Sequence, residues 1–113
     1  MSTETLQIEI SWPESLHVPA GATANVQLWV GNEISFYRML SDGDVSVPAS
    51  SSPAVLEIAY DPQALVPDDS TATWGHFHTA PYLMHDGKRL NIARTVKVSI
   101  DEAKRDGWKI ALS

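Results

Sequence analysis

The sequence contains no cysteine among its 113 residues. Disulfides, thiolate nucleophiles and cysteine-based zinc sites are therefore excluded. No apolar run approaches the roughly 18 residues that a membrane-spanning helix needs. The opening "MSTETLQIEI" also lacks the basic and apolar regions of a signal peptide. The sequence alone thus predicts a soluble protein, and its redox chemistry indicates no particular compartment.

Basic residues are also scarce, because 8 Lys and Arg stand against 14 Asp and Glu, for a formal net charge of −6. Nucleic acids and anionic lipids reward clustered Lys and Arg, so neither is predicted as a partner. Glycine-rich phosphate loops and the Gly-x-Ser-x-Gly nucleophile elbow are missing. The acidic residues fall mostly in turns rather than as a converging pair. We therefore predict that the protein is not an enzyme and needs no cofactor.

What the sequence does contain is short stretches of alternating apolar and polar residues, within a length that suits one domain over residues 1–113. The alternation is clearest in "TLQIEISW" and "AVLEIAY". Strands are predicted over residues 5–12, 22–30, 33–40, 45–47, 54–60, 71–79, 89–100 and 108–112, and a helical turn over residues 101–105. The sequence thus predicts an all-β fold, and since one sheet cannot bury so many one-faced strands, that fold is an antiparallel sandwich or barrel. We expect a small antiparallel β-sandwich of seven to eight strands, with an immunoglobulin/transthyretin-like two-layer architecture.

Two side chains depart from this simple alternation. Arg94 falls on the apolar face of the strand predicted over residues 89–100. Either a bulge or strand edge turns it to solvent, or it forms a buried ion pair with a carboxylate. Trp29 points away from the face shared by Val26 and Leu28, which places it outside the sandwich or against a loop.

The stretch "TWGHFHTAPYLMHDGKRL" gathers three of the four histidines. His76 and His78 share one face of a predicted strand, about 6.5 Å apart. His85 lies beside a predicted hairpin turn and is the candidate for a third ligand of an open zinc site. A metal-bound imidazole also needs an acceptor for its other nitrogen, which the local sequence supplies only through Asp86. The simpler interpretation is therefore a partly exposed face of the sheet that binds no metal.

The same stretch offers a candidate partner-binding patch made of Trp74, His76, His78 and Tyr82. Amphipathic aromatic side chains of this kind are enriched at interfaces. The alternative is that Trp74 belongs to the core and the histidines lie at a solvated edge. The segment "APYLM" at 80–84 is interpreted as a lengthened loop, and such loops often carry function.

Four segments resemble, in order and spacing, stretches of the YscW/YbaY-like lipoproteins, a family that includes the type III secretion lipoprotein chaperones. The segments are "LHVPAGATANVQLWV", "LEIAYDPQALVP", "HDGKRLNIARTVKVSI" and "WKIAL". The most recognisable feature is an alternating strand that ends in Tyr60, Asp61 and Pro62, with Pro67 five residues on. The resemblance covers about residues 6–112.

This resemblance implies a β-sandwich without catalytic residues, held by a lipid on the periplasmic side of the outer membrane. Pilotins of the secretion branch help a secretin ring to reach or assemble in that membrane. The function expected here is thus a protein-interaction or chaperone module whose partner is a secretin or another envelope protein, bound by edge-strand addition or in an apolar groove.

Two expectations stay open at this stage. The alternative function is a glycan- or small-ligand-binding module, which a row of coplanar exposed aromatics would favour. The lipid-accepting cysteine of the resembled family is absent, so membrane contact would require an anchor that this chain lacks. A cytoplasmic location is expected if Met1 is the native start.

Overall fold

The computed structural model describes residues 3–69 and 72–112. These residues form eleven short strands, one α-helix and one 3-10 helix. In chain order the elements are β1 (Glu4–Ser11), β2 (Thr23–Val26), β3 (Trp29–Gly31), β4 (Phe36–Met39), β5 (Val45–Pro48), β6 (Ala54–Tyr60), the 3-10 helix (Pro62–Leu65), β7 (His76–Thr79), β8 (Tyr82–His85), β9 (Lys88–Arg89), β10 (Val96–Ser99), α1 (Ile100–Asp106) and β11 (Trp108–Ala111). The all-β, sandwich-like architecture predicted from the sequence is confirmed.

The first sheet has the order β11-β1-β6, and its alternation follows the sequence pattern closely. Leu6, Ile8 and Ile10 are buried on one face, and β6 pairs with β1 in antiparallel register. The closing strand β11 pairs with β1 in parallel, which differs from the purely antiparallel sandwich that we predicted. Parallel neighbours cannot be joined by a tight turn, and β1 and β11 need none because they lie at opposite ends of the chain.

The other two sheets arise because one predicted strand is broken into two. Residues 22–30 divide at Gln27 and Leu28, so that β2 joins the sheet β5-β2-β8-β9 while β3 joins the sheet β10-β7-β3-β4. The chain changes sheets again between β7 and β8. The Thr79 hydroxyl donates a hydrogen bond to the Gln27 carbonyl oxygen at 2.7 Å, which ties the two crossing points together.

The predicted lengthened loop at 80–84 is wrong, because most of it is strand β8. Tyr82, Leu83 and Met84 pair with β2 in antiparallel register, and Leu83 is fully buried. The Asp86–Gly87 hairpin turn that follows is confirmed, and both of its residues have positive φ.

The strand predicted over 89–100 is also wrong in its middle. Only its ends are strands, and Ile92 and Arg94 are exposed in the connection between them. The Asn91 side chain ends β9, because its oxygen accepts a hydrogen bond from the Leu83 amide at 2.7 Å. The exposure of Arg94 excludes the buried ion pair and agrees with its turning to solvent. Ile100, predicted as the last strand residue, instead begins α1.

The remaining local predictions differ mainly in their boundaries. The helical turn over 101–105 is confirmed and extended, and α1 begins after Ser99, whose hydroxyl accepts from the Glu102 amide at 3.2 Å. The strand predicted over 33–40 contracts to β4. The strand predicted over 71–79 begins only at His76, and its residue Thr71 lies outside the described residues.

A single apolar core fills the space between the sheets. Phe77 is a fully buried member of this core, and its ring meets Tyr60 edge-on with centroids 5.5 Å apart. Asp61 caps the 3-10 helix as the sequence predicts, because its side chain accepts from the Gln63 amide at 2.9 Å. No helix among the described residues is long and apolar enough to cross a membrane.

Candidate partner-binding surface

Trp74 is the first of the four predicted contact residues, and it packs partly buried against the core. Its ring stacks on Tyr37 with centroids 6.0 Å apart, and the Arg38 guanidinium lies 5.0 Å from its centroid. Arg38 in turn donates to the carbonyl oxygens of Ala64 and Val66 at 2.9 and 3.1 Å. Trp74 therefore holds the connection after β6 against β4, as in the alternative interpretation that placed it in the core.

His78 does not lie at a solvated edge, because it is only 3% exposed. Its Nε2 is 2.8 Å from the carbonyl oxygen of Asn32, so this nitrogen carries the proton and donates. The ring also contacts Phe36, with centroids 5.4 Å apart. His78 thus links β7 to the turn before β4 and packs against the ring of Phe36.

The three histidines considered as zinc ligands each have different neighbours. His76 is half-buried and faces Gly31 and Ser99 across the ladder. His85 lies in β8, where its Nδ1 is 3.6 Å from an Asp86 carboxylate oxygen. Within residues 3–69 and 72–112, no group of three or more His, Asp or Glu side chains is placed to hold a metal ion.

Tyr82 lies on β8, half-buried between two charged residues. Its hydroxyl donates to Asp44 Oδ2 at 3.0 Å, and the Arg89 guanidinium lies 4.3 Å from its ring centroid. Burial, followed by the hydrogen bond to Asp44, raises the pKa of the Tyr82 hydroxyl. Tyr82 is therefore a fixed neutral donor at neutral pH, with its ring face covered by a cation.

His78 and Tyr82 line one pocket, whereas Trp74 and His76 lie outside it. We call it the aromatic pocket; it has a volume of about 370 Å³. Its principal side chains are those of Trp29, Phe36, Asp44, His78, Tyr82 and Arg89. The structure therefore brings together two of the four predicted contact residues, and partner binding by any of them stays a prediction.

Sequence reasoning missed four of the six principal pocket residues, namely Trp29, Phe36, Asp44 and Arg89. Trp29 and Phe36 lie with ring centroids 5.2 Å apart, and Arg89 comes from the short strand β9. The alternating pattern already indicated that Trp29 points away from Val26 and Leu28. No comparable signal existed for Phe36 or Arg89, because they are brought to the pocket by pairing between strands that are distant in sequence.

A second surface lies beside the pocket on strand β4, which forms one end of its sheet. We call it the edge surface; it consists of four exposed apolar side chains, Ile34, Phe36, Tyr37 and Met39. The turn before β4 is fixed by Asn32, whose side-chain oxygen accepts from the amides of Ile34 and Ser35, both at 2.8 Å. A hairpin held by side-chain hydrogen bonds therefore presents apolar side chains to solvent, next to a strand edge that no other described strand pairs with.

The fold is shared with a known class of secretion protein. The chain is similar to the solved structure of an alternative pilotin from the type II secretion system of Vibrio cholerae, with a TM-score of 0.64. The match covers 98% of this chain and 94% of that one, at 11% sequence identity. No family model matches the chain, and no curated protein matches its sequence. At this identity the likeness establishes a pilotin-like fold and nothing finer.

Proposed function

We propose that this protein is a non-catalytic, pilotin-like interaction module of the cell envelope, whose partner is a secretin or another envelope protein. The pilotin-like fold supports this function, as do the short segments that resemble the YscW/YbaY-like lipoproteins. The proposed location is the periplasmic side of the outer membrane. A non-catalytic role agrees with His78, which directs its proton to a backbone carbonyl rather than to a nucleophile.

The observation that carries the proposal is the edge surface. Soluble proteins usually blunt an exposed strand edge with charge, proline or a covering element. Here the exposed fractions are 90% for Ile34, 58% for Tyr37 and 41% for Met39. Among the described strands β4 pairs with β3 alone, which leaves its outer edge open to another chain.

An extended partner segment placed along β4 would form main-chain hydrogen bonds with the open edge. The register shift at Gly31 places Phe36 and Met39 on the same face, opposite Gly31 and Trp29, and alternate side chains of the partner segment would cover that face. Each main-chain hydrogen bond contributes about 1 kcal/mol net, and buried apolar area adds about 25 cal/mol per Å². Four strand residues flanked by exposed apolar side chains therefore suit a short linear segment better than a large rigid partner.

The test is binding of overlapping, fluorescently labelled peptides that cover the secretins of the same organism, measured by anisotropy. In Met39→Lys, a charge on β4 should weaken binding by about tenfold, since lysine is a natural protector of strand edges. The matched control is Val55→Lys on β6, because Val55 is 44% exposed and Met39 is 41% exposed. Hydrogen exchange of the complex should show new protection in β4.

Two results would contradict the proposal. One is that no secretin peptide binds. The other is that binding occurs with equal affinity in Met39→Lys and Val55→Lys, without new protection of the β4 amides.

The alternative of glycan binding depends on the aromatic pocket. A sugar ring stacks best on a flat aromatic platform, but the planes of Trp29 and Phe36 are inclined by 59° and those of Phe36 and His78 by 45°. Among the described residues, the rings that line the aromatic pocket therefore do not form the coplanar row expected of a glycan platform, whereas β4 has an edge that no described strand covers. Soluble envelope glycans added in the same anisotropy assay should leave peptide binding unchanged.

A further inference from the structure

The charge distribution around the aromatic pocket differs from that of the whole chain. Residues 87–98 contain four of the eight basic residues, Lys88, Arg89, Arg94 and Lys97, and no acidic residue. All four of these side chains are exposed. A protein of net charge −6 thus concentrates positive charge in one segment, which we call the basic segment.

The basic segment forms one wall of the aromatic pocket. Arg89, Ala93 and Thr95 line the pocket directly, and Lys97 stands opposite His78 in the β7–β10 ladder. The Arg89 guanidinium rests on the Tyr82 ring, and among the described residues no carboxylate oxygen lies within 4 Å of it. Arg89 is therefore a cation already placed at the pocket, and it forms no ion pair with any residue that the structure describes.

Trp29 and Phe36 form an apolar, aromatic wall of the pocket. Trp29 is half-buried and its indole nitrogen donates to the Gln27 side chain at 3.4 Å, while Phe36 packs against the Trp29 ring. The carboxylate at the pocket is Asp44, which already accepts the Tyr82 hydroxyl. A ligand that matches both walls has an apolar group for the rings and a negative charge for Arg89.

We propose that the aromatic pocket takes one large apolar side chain from an acidic segment of the partner protein. This inference rests on the proposed function and identifies the kind of sequence that is recognised. A volume of about 370 Å³ is enough for one aromatic side chain with its backbone, and Arg89 and the other basic residues pair with flanking Asp or Glu. Phe36 belongs both to the pocket and to the edge surface, so the same segment reaches both.

The test uses a fluorescein-labelled peptide with one central phenylalanine between two pairs of Asp or Glu, followed by anisotropy. Two further peptides replace the phenylalanine with alanine, or the acids with their amides. The variants are Arg89→Gln and Trp29→Leu, and Lys109→Gln is the control because Lys109 is exposed on β11 in another sheet. Vesicles of phosphatidylglycerol serve as the competing anionic surface.

The acidic phenylalanine peptide should bind, and Arg89→Gln and Trp29→Leu should each weaken it by about tenfold. Lys109→Gln should leave the affinity unchanged. Raising the salt concentration from about 50 to about 500 mM should weaken binding to the wild type much more than binding to Arg89→Gln.

The inference is overturned by any of three results: the peptide does not bind, the alanine peptide binds equally well, or the vesicles displace it completely. A different set of binding results would show that the proposed function is wrong while the pocket proposal holds. In that case the acidic peptide binds the pocket, but no secretin peptide responds to Met39→Lys. If secretin peptides respond to Met39→Lys and not to Arg89→Gln, the edge surface stands and the pocket proposal fails.

Discussion

Gly31 is the position at which one added methyl group should do the most damage to the candidate site. It ends β3 immediately before the turn that leads into β4, at a shift in the β3–β4 register. A Cβ placed on Gly31 would lie 2.1 Å from the Ser35 carbonyl oxygen and 2.4 Å from Phe36 Cα. Both obstacles are backbone atoms, so they cannot move aside by a simple change of rotamer.

The expected cost of Gly31→Ala follows from this geometry. Overpacking usually costs 1–3 kcal/mol, and contacts this short with backbone place the change at about 3 kcal/mol or above. For a domain of this size, 1 kcal/mol lowers the melting temperature by about 4 °C. We therefore expect a decrease in melting temperature of about 12 °C.

Gly75→Ala is the matched control, because it makes the same substitution without the clash. A Cβ at Gly75 has no atom within 4 Å, and its φ is not in the left-handed region. Removing a glycine at such a site stabilises slightly or has no effect. Urea unfolding followed by circular dichroism should separate the two variants, with equal m-values if both remain two-state.

A difference below about 1 kcal/mol between the two variants would refute the close packing of the β3–β4 hairpin. It would also remove the structural basis of the edge surface, since Phe36 and Tyr37 are placed by this turn. If the packing is as described, Gly31→Ala should also weaken binding of the secretin peptide, because the hairpin must move to admit the methyl group.

Two further predictions concern polar contacts. The hydrogen bonds from Lys104 and then Tyr60 lower the pKa of Glu4. Because the pKa of Glu4 is lower in the folded protein, the ionised carboxylate stabilises the fold at pH values above its ordinary pKa of 4.5. This stabilisation is lost as the pH falls through the pKa of the folded state. Glu4→Gln should thus be less stable than the wild type at neutral pH and equal to it at about pH 2, as urea unfolding at each pH will show; an unchanged difference at low pH would contradict this. Arg38→Lys should cost about 1–2 kcal/mol, because lysine cannot hold two loop carbonyls and a stacked ring at once. Asp68→Ala removes an ion-pair partner of Arg38 that is 97% exposed and should change the free energy of unfolding by less than about 0.5 kcal/mol. A larger loss of stability in Asp68→Ala than in Arg38→Lys would contradict the view that the loop carbonyls and the Trp74 ring are the main partners of Arg38.

Local alternation was sufficient to predict the strands that lie in regular two-faced sheets. β1 and β6 are the clearest cases, because each has one wholly buried face and their polar faces are solvated. The cap at Asp61 and the turn at Asp86 were predictable for a similar reason, since side-chain hydrogen bonding and backbone sterics act within a few residues.

Alternation failed where the chain changes from one sheet to another. Residues 22–30 continue their apolar phase without interruption, yet the backbone bends between β2 and β3. At 89–100 the apolar phase continued through Ile92, but the side chain of Asn91 bonds to β8 and ends the strand. Both outcomes depend on partners that are distant in sequence.

The sequence by itself determined the all-β class, the single core, most strand positions and the absence of thiol chemistry, because these depend on composition and on the two-residue period of a strand. Only the tertiary structure decided which side chains meet at the candidate site. Trp29, Phe36, Tyr82 and Arg89 lie on four different strands, and strand pairing alone brings them together. The parallel pairing of β11 with β1 and the open edge of β4 were decided in the same way, since each depends on which strands become neighbours rather than on the residues within a strand.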